Sequence, residues 1–399
     1  MKVAIAKAEN YDEQKVRKAF DELFSMLGYD EDNPLNQIVK PGDKVFIKPN
    51  WVAHEYRKSC GHHDSVYSTI THPMVIRVMA DYVAKALQGE GEIVIGDNPS
   101  IDADFDKLMQ LSQLQDLETK YDVPCRFVDL RPLRCVDLKD YGKKRKMKSQ
   151  EGDSEGSTTI NLGKTSLFNG INPLLFRGVF TNRWETIRRH FGSRHDYTFS
   201  NSIVNADVYI SIPKLKTHHK VGMTLNLKGL VGAISDKNLL VHWRIGWPGI
   251  GGDEYPSFGA WLKGLFQRVK KRGAWSGNDT IWRMVVDIYN AFNKIRTRRV
   301  FSVVDGIVGG EGDGPFCPVS KESGVLLAGE DLLAVDCVAG RLMGFDVMQI
   351  PYLRHFVSNN LIDFSKVKIF AKEFEEENFL NNNNRNLGFL SPGGWDNLC

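Results

Sequence analysis

The chain has 399 residues, of which 42% are hydrophobic and 25% charged, with a formal net charge of +3. That balance suits one large globular domain or two ordinary ones and excludes global disorder. So small an excess of positive charge gives no reason to expect a nucleic-acid or membrane-surface partner.

Residues 2–6 read as a buried strand. Residues 13–27 follow as a helix, with Val16, Phe20, Leu23, Phe24 and Leu27 on one face and Gly28 ending it. Pro41-Gly42-Asp43 is a turn before a strand at 45–47. Thr71 is the expected cap of a helix with Pro73 near its first position and Val75, Ile76, Met79, Val83 and Leu87 as its apolar stripe. A strand at 92–95, a helix at 105–117 and a strand at 125–128 complete the first third. This alternation implies parallel pairing. The basic run 143–148, with the polar residues after it, reads as a solvated loop. Residues 161–197 have no clear periodicity and read as an insertion. A strand at 206–212, helices at 257–269 and 280–295, strands at 300–304 and 325–328, and a helix at 332–343 capped by Asp331 follow. The tail after Glu373 is rich in asparagine and glycine and is expected to be partly mobile.

The pattern predicts an α/β fold, mostly parallel sheet with helices on both faces, arranged as two α/β lobes with a cleft between them. The expected boundaries are 1–140 for the first lobe, 141–200 for the insertion, 201–372 for the second lobe and 373–399 for the tail. The six cysteines form no CxxC pair. No ferredoxin-type iron–sulfur cluster is therefore expected within the chain, and scattered thiols suit a reducing compartment. The first residues lack the charged region and cleavage site of a signal peptide, and no apolar run approaches a membrane span. A cytoplasmic protein is expected.

Four apolar strands run into polar segments at their carboxyl ends. These are Lys48-Pro49-Asn50, Gly96-Asp97-Asn98, Pro213-Lys214-Leu215-Lys216-Thr217-His218, and Asp305-Gly306 with the glycine-rich stretch to Pro315. In open parallel sheets ligands bind outside those ends. Lys48, Lys214, Lys216 and Lys228 then suit a small anionic ligand, phosphate or carboxylate. Asn50, His72, Asn98 and Asn226 would add polar contacts. Glu311 and Gly312 would lie in a flexible loop that wraps the ligand closely. His218 is the candidate acid or base, and Asp97 and Asp305 are the candidate carboxylates that orient it. Alternatively a divalent metal would be held by some of Asp97, His218, His242, Asp253 and Glu254, although their spacing matches no specific metal motif. Asp336, one turn into its helix, reads as a buried polar contact or a cleft carboxylate.

Several of these segments occur together in one known family. Lys48-Pro49-Asn50, Thr71-His72-Pro73, Gly96-Asp97, Pro213 through His218, Asn226-Leu227-Lys228-Gly229, Asp305-Gly306, Glu311-Gly312, Gly314-Pro315 and Asp331 through Asp336 make the chain resemble the domain of unknown function 362 family. The likeness in order and spacing runs over roughly residues 45–345. The resemblance implies no general activity. Some members carry an added ferredoxin-like domain, which this chain lacks.

The preferred expectation is an enzyme acting on a small anionic metabolite, with lysines holding the anion and His218 and an aspartate moving a proton or binding metal. A redox protein, flavin- or metal-dependent or an electron-transfer partner, and a non-catalytic binding module are the alternatives. Cofactor, substrate and oligomeric state stay unassigned.

Overall fold

In the computed structural model the described residues are 1–57, 60–139, 144–179, 182–266, 272–371 and 386–398. Their strands are β1 (Lys2–Lys7), β2 (Lys44–Pro49), β3 (Glu92–Asp97), β4 (Cys125–Asp129), β5 (Leu133–Lys139), β6 (Lys144–Ser149), β7 (Ser157–Asn161), β8 (Phe176–Arg177), β9 (Asp196–Ser200), β10 (Val208–Ile212), β11 (Lys214–His218), β12 (Gly222–Met223), β13 (Trp243–Arg244), β14 (Arg299–Asp313), β15 (Cys317–Gly329) and β16 (Lys368–Phe370). The helices are α1 (Glu13–Leu27), α2 (Pro73–Leu87), α3 (Phe105–Ser112), α4 (Leu117–Lys120), α5 (Arg183–Arg189), α6 (Asn201–Val204), α7 (Leu225–Gly229), α8 (Phe258–Phe266), α9 (Ile281–Ile295), α10 (Leu332–Met343) and α11 (Pro351–Ser358).

One large sheet organises the chain in the order β16-β1-β15-β14-β10-β2-β3-β4. From β14 to β4 every neighbour is parallel, whereas β15 runs against both β14 and β1. The fold is α/β, as expected. Strands from residues 1–140 and from 201–372 interleave in this sheet, so the two expected lobes are replaced by one shared sheet.

Side-chain alternation decides the two layers. Val45 and Ile47, Ile93 and Ile95, and Val208, Ile210 and Ile212 face a core shared with α1, α2 and α3. Phe46, Val94 and Tyr209 face the opposite core, against α7, α9, α10 and α11. Helix α1 forms because its apolar residues recur at helical spacing. Asp12 accepts from Gln14 N and Lys15 N at its start, and Gly28 ends it in the left-handed region at φ 81°. It buries Val16, Phe20, Leu23, Phe24 and Leu27, each contributing about 1.5–3 kcal/mol on leaving water.

Several expectations are corrected. The basic run is not a loop: β6 pairs antiparallel with β5. The helix expected at 105–117 stops at Ser112, and α4 is a separate turn. The insertion has its own order, with β7 on β9 and β8 on β13. The glycine-rich stretch from Asp305 is not a flexible loop but the far half of β14, paired with β15 from Ser302↔Gly329 to Asp313↔Cys317. Glycine is there because neighbours come too close for a side chain. A Cβ on Gly309 would lie 2.6 Å from Phe389 and one on Gly306 2.8 Å from Leu215, while those on Gly310 and Gly314 would meet the carbonyls of Ser68 and Thr217. In the tail, residues 386–398 are docked, with Phe389, Trp395 and Leu398 buried. The stretch 372–385 lies outside the described residues. Cys60 and Cys317 form a disulfide, which overturns the reading of all six cysteines as free thiols and removes the support they gave to a cytoplasmic location. No helix among the described residues is long and apolar enough to cross a membrane.

Candidate functional site

The parallel register brings the carboxyl ends of the strands to one rim. Lys48 lies beside Ser211, Pro49 beside Ile212, and Lys214 beside Asp305. Strand β1 runs in the same direction as β14, so the residues that follow it reach this rim too.

Two buried carboxylates brace the rim. Asp97 accepts from Lys48 Nζ at 2.7 Å, Trp51 N at 2.7 Å and Asn98 N at 2.8 Å. Asp305 accepts from Tyr11 Oη at 2.9 Å, His72 N at 2.8 Å and Lys214 Nζ at 2.9 Å. Each carboxylate is surrounded by donors, so both act as braces that hold the strand ends together rather than as acceptors open to a ligand.

The lysines are a different matter. Lys48, Lys214, Lys216 and Lys220 are buried and Lys228 is half-buried. Lys216 Nζ donates to the carbonyl of Thr69. Burial and the ammoniums of Lys228 and Lys214 drive Lys216 well below the ordinary lysine pKa. Burial also holds Lys220 at about 7, opposed by Asp253 and Glu254. Lys228 falls to about 8, through burial first and the Lys48 charge second. Among the described residues, Lys228 Nζ has no hydrogen-bond or ion-pair partner. The rim therefore gathers more lysines than carboxylates that pair with them, and their mutual repulsion with burial is what lowers them.

Helix α7 presents Lys228 through an unusual backbone. Leu225 sits at φ 46°, a left-handed conformation that bulky residues avoid at a cost of about 1–3 kcal/mol. Asp336 from α10 holds the turn by accepting from Asn226 N at 2.8 Å and Leu227 N at 3.0 Å. Asp336 is thus a buried structural contact, its pKa pushed up to about 7 by burial. Asn226 Oδ1 accepts from Ser302, but its Nδ2 is a buried donor with no protein acceptor. Asn50 Oδ1, Asn98 Oδ1 and Thr224 Oγ1 are likewise buried without a partner. Buried polar atoms without partners are uncommon, and these four lie on segments that meet at the rim or on the turn that carries Lys228.

His218 and His242 complete the polar wall. His218 Nδ1 accepts from Lys220 N at 3.1 Å, so the neutral ring carries its proton on Nε2. Burial, then Lys228, keeps His218 well below its ordinary pKa. His242 has the opposite tautomer: Nδ1 donates to Leu240 O at 3.2 Å, and Nε2 is left as an acceptor. Burial, then Lys220 and Lys228, lowers His242 to about 3. Both rings feel the same two lysines.

The remaining sequence candidates are placed elsewhere or used otherwise. His72, rather than Thr71, caps α2 by accepting from Met74 N, and it stacks on Tyr11 at 3.6 Å. Glu311 accepts from Leu390 N at 2.9 Å, and the carbonyl of Leu390 receives Gly312 N, so both residues tether the tail. Asp253 accepts from Arg244 N and Thr280, and Glu254 pairs with Arg272 at 2.9 Å. Among the described residues no three His, Cys, Asp or Glu side chains form a group fit for a metal. The suggested metal set is thus divided among separate partners. A surface concavity lined by Asp81, Lys85, Lys120 and Tyr121 lies at the opposite end of α2 and shares no residue with the rim.

Sequence reasoning missed three contributors. Tyr11 follows β1, and the strand-end rule applied there would have found it. Lys237 donates to the carbonyl of Pro99 and is held at about 7 by burial and Arg131. Gly232 lies against the Lys48–Asp97 pair: a Cβ there would overlap Asp97 Oδ1 and sit 2.6 Å from Lys48 Nζ. Gly232→Ala should lower stability by about 1–3 kcal/mol and weaken anion binding together. Thermal melts and phosphate titration of the variant check this; an unchanged melt with intact binding would remove Gly232 from the site.

The sequence pattern of the family described as a domain of unknown function (DUF362) matches residues 45–164 and 150–341. A thylakoid-associated protein of Synechocystis is 24% identical over 352 residues, covering 88% of this chain and 76% of its own length. A structural-genomics protein from Thermotoga maritima aligns with a TM-score of 0.37 and 10% identity over 78% of this chain and 54% of its own. The lactate racemase apoprotein of Thermoanaerobacterium thermosaccharolyticum aligns at 0.33 and 12% over 76% of this chain and 50% of its own. The chain thus spans about half the length of these two solved structures.

Proposed function

The chain belongs to the DUF362 family, and from the chemistry of its rim we propose that it is an enzyme acting on a small phosphate- or carboxylate-bearing metabolite. One observation carries this reading. The Lys228 ammonium stands without a hydrogen-bond or ion-pair partner near Lys48, Lys216 and Lys220, and an added anion would balance its charge.

Within this reading the residues take distinct parts. Lys228 holds the anion, with Asn226 Nδ2 as an added donor. Lys48 and Lys214 keep the rim in shape through Asp97 and Asp305. His218 presents a neutral Nε2–H that polarises an oxygen of the ligand as charge develops there. The opposite tautomer of His242 supplies an acceptor on the same wall. A bound anion raises the pKa of every cation near it, so occupancy sets the protonation of the wall.

The sign of the pH dependence follows. Lys228 carries its charge below about 8 in the anion-free protein and loses it above. The bound anion favours the charged form. Affinity should therefore hold near neutral pH and fall by up to about tenfold per pH unit above 8. Isothermal titration with inorganic phosphate and with malonate, in buffers of different ionisation enthalpy, reads both affinity and proton uptake. Uptake of about half a proton per anion is expected near pH 8, rising toward one about a pH unit above it. Absence of binding by either probe, or pH-independent binding without proton uptake, would sink the proposal.

A further inference from the structure

A surface apart from this rim carries a second inference. Helix α8, Phe-Gly-Ala-Trp-Leu-Lys-Gly-Leu-Phe, buries none of its residues. It rests on the body through a small residue: a Cβ on Gly264 would lie 2.5 Å from the Tyr255 hydroxyl. Its bulky residues point away from that contact. Phe266 is 84% exposed, and Phe258, Leu262 and Leu265 are exposed as well. This inverts the usual arrangement, in which a surface helix turns its apolar stripe to the core.

The apolar surface continues beyond α8. Trp247 packs against Phe258 at 5.1 Å and Trp261 at 4.9 Å. Next come exposed Ile250 and, across the β8–β13 ladder, exposed Leu174 with Trp184, which is 69% exposed. Arg183 links the last two, donating to Leu174 O and lying 5.7 Å from the Trp184 ring. Monomeric proteins rarely expose a contiguous apolar patch on this scale without a partner.

Charge identifies the partner. Among the described residues of 243–272, the basic side chains are Arg244, Lys263 and Arg272 and the acidic ones only Asp253 and Glu254. Both carboxylates are buried. On α5, Glu185 is taken up by Arg188, beside Arg183 and Arg189. Arg244 is taken up by Asp253 and Asp279, but Lys263 and Arg188 are exposed and Arg272 stays half-exposed beside buried Glu254, so the exposed charge around the patch is mainly cationic among the described residues. Apolar residues with tryptophans, rimmed by lysine and arginine, match the boundary between acyl chains and anionic headgroups.

We propose that α8 and the Trp247–Ile250 turn lie on an anionic lipid bilayer, with the protein bound to its surface and not spanning it. This revises the expectation, drawn from a weak net charge, that no membrane is met: the charge that matters is local. Vesicle co-sedimentation of the full chain tests it. Binding to vesicles with about one-third phosphatidylglycerol should exceed binding to pure phosphatidylcholine by at least about tenfold and weaken with salt. The double variant Leu265→Asp/Phe266→Asp should lose that binding and keep its affinity for phosphate at the rim. Failure to sediment, equal binding to both lipids, or full binding by the variant would overturn the proposal. So would a dimer in ultracentrifugation that the variant abolishes, since a second copy would then cover the patch.

Discussion

Lys228→Gln is expected to weaken anion binding by about 30- to 5,000-fold while leaving the melting temperature unchanged or higher. The two effects have opposite signs for one reason. The ammonium is a strong partner for a bound anion, where removing one member of a buried charged pair typically costs 2–5 kcal/mol. In the anion-free protein the same ammonium is an unpaired, half-buried cation, with its pKa lowered to about 8 from the usual lysine value. A base depressed in the folded state destabilises the fold at pH values below its folded pKa. That penalty shrinks as pH rises from 8 toward the unfolded value of about 10.4, where it vanishes. Any stability advantage of the glutamine variant should therefore be clear at pH 7 and largely gone by about pH 10. Titration with phosphate and paired thermal melts at the two pH values decide the matter. A variant that binds phosphate normally but melts earlier would assign Lys228 a structural role and end the anion reading.

Asp305→Ala is expected to cost about 3–5 kcal/mol of stability, the largest effect of any single change at the rim. The substitution leaves Lys214 Nζ, Tyr11 Oη and His72 N without their shared acceptor in a fully buried place. It also removes the group that sets β11 against β14 where Lys214 lies beside Asp305. Adding Lys214→Met to Asp305→Ala should recover a substantial part of the loss, because it removes the stranded charge. Urea unfolding of the two single variants and the double variant closes this cycle. A loss below about 1 kcal/mol for Asp305→Ala would contradict its role as a brace and return it to the list of groups that meet the ligand.

What the sequence revealed and what it hid both have physical reasons. Helix α1 was legible to its last residue because Val16, Phe20, Leu23, Phe24 and Leu27 keep one face and Gly28 supplies the left-handed stop. The rim was legible because each parallel strand hands over to polar residues at the same end. The long β14–β15 hairpin was not. Glycine disfavours strands, so Gly306, Gly309, Gly310 and Gly312 read as a loop. Gly306, Gly309 and Gly310 are required by the long-range approach of Leu215, Phe389 and the Ser68 carbonyl, and Gly312 by its positive φ of 71°, which no local pattern encodes. Asp97 and Asp305 stood out as catalytic candidates because sequence shows a carboxylate but not its donors. The structure supplies three to Asp97 and four to Asp305. The tail looked mobile by composition, yet Trp395 donates to His219 O and anchors it beside the His218 turn.

The placement of β1 has a consequence for biosynthesis. It lies between β15 and β16, pairing Val3 with Gly329 and Lys2 with Lys368. Once synthesised, β1 must therefore wait for about 320 further residues before either neighbour exists. At ordinary elongation rates that delay is on the order of tens of seconds. Through it the nascent chain carries an unpaired Val-Ala-Ile-Ala segment, which makes it a natural client for a holding chaperone.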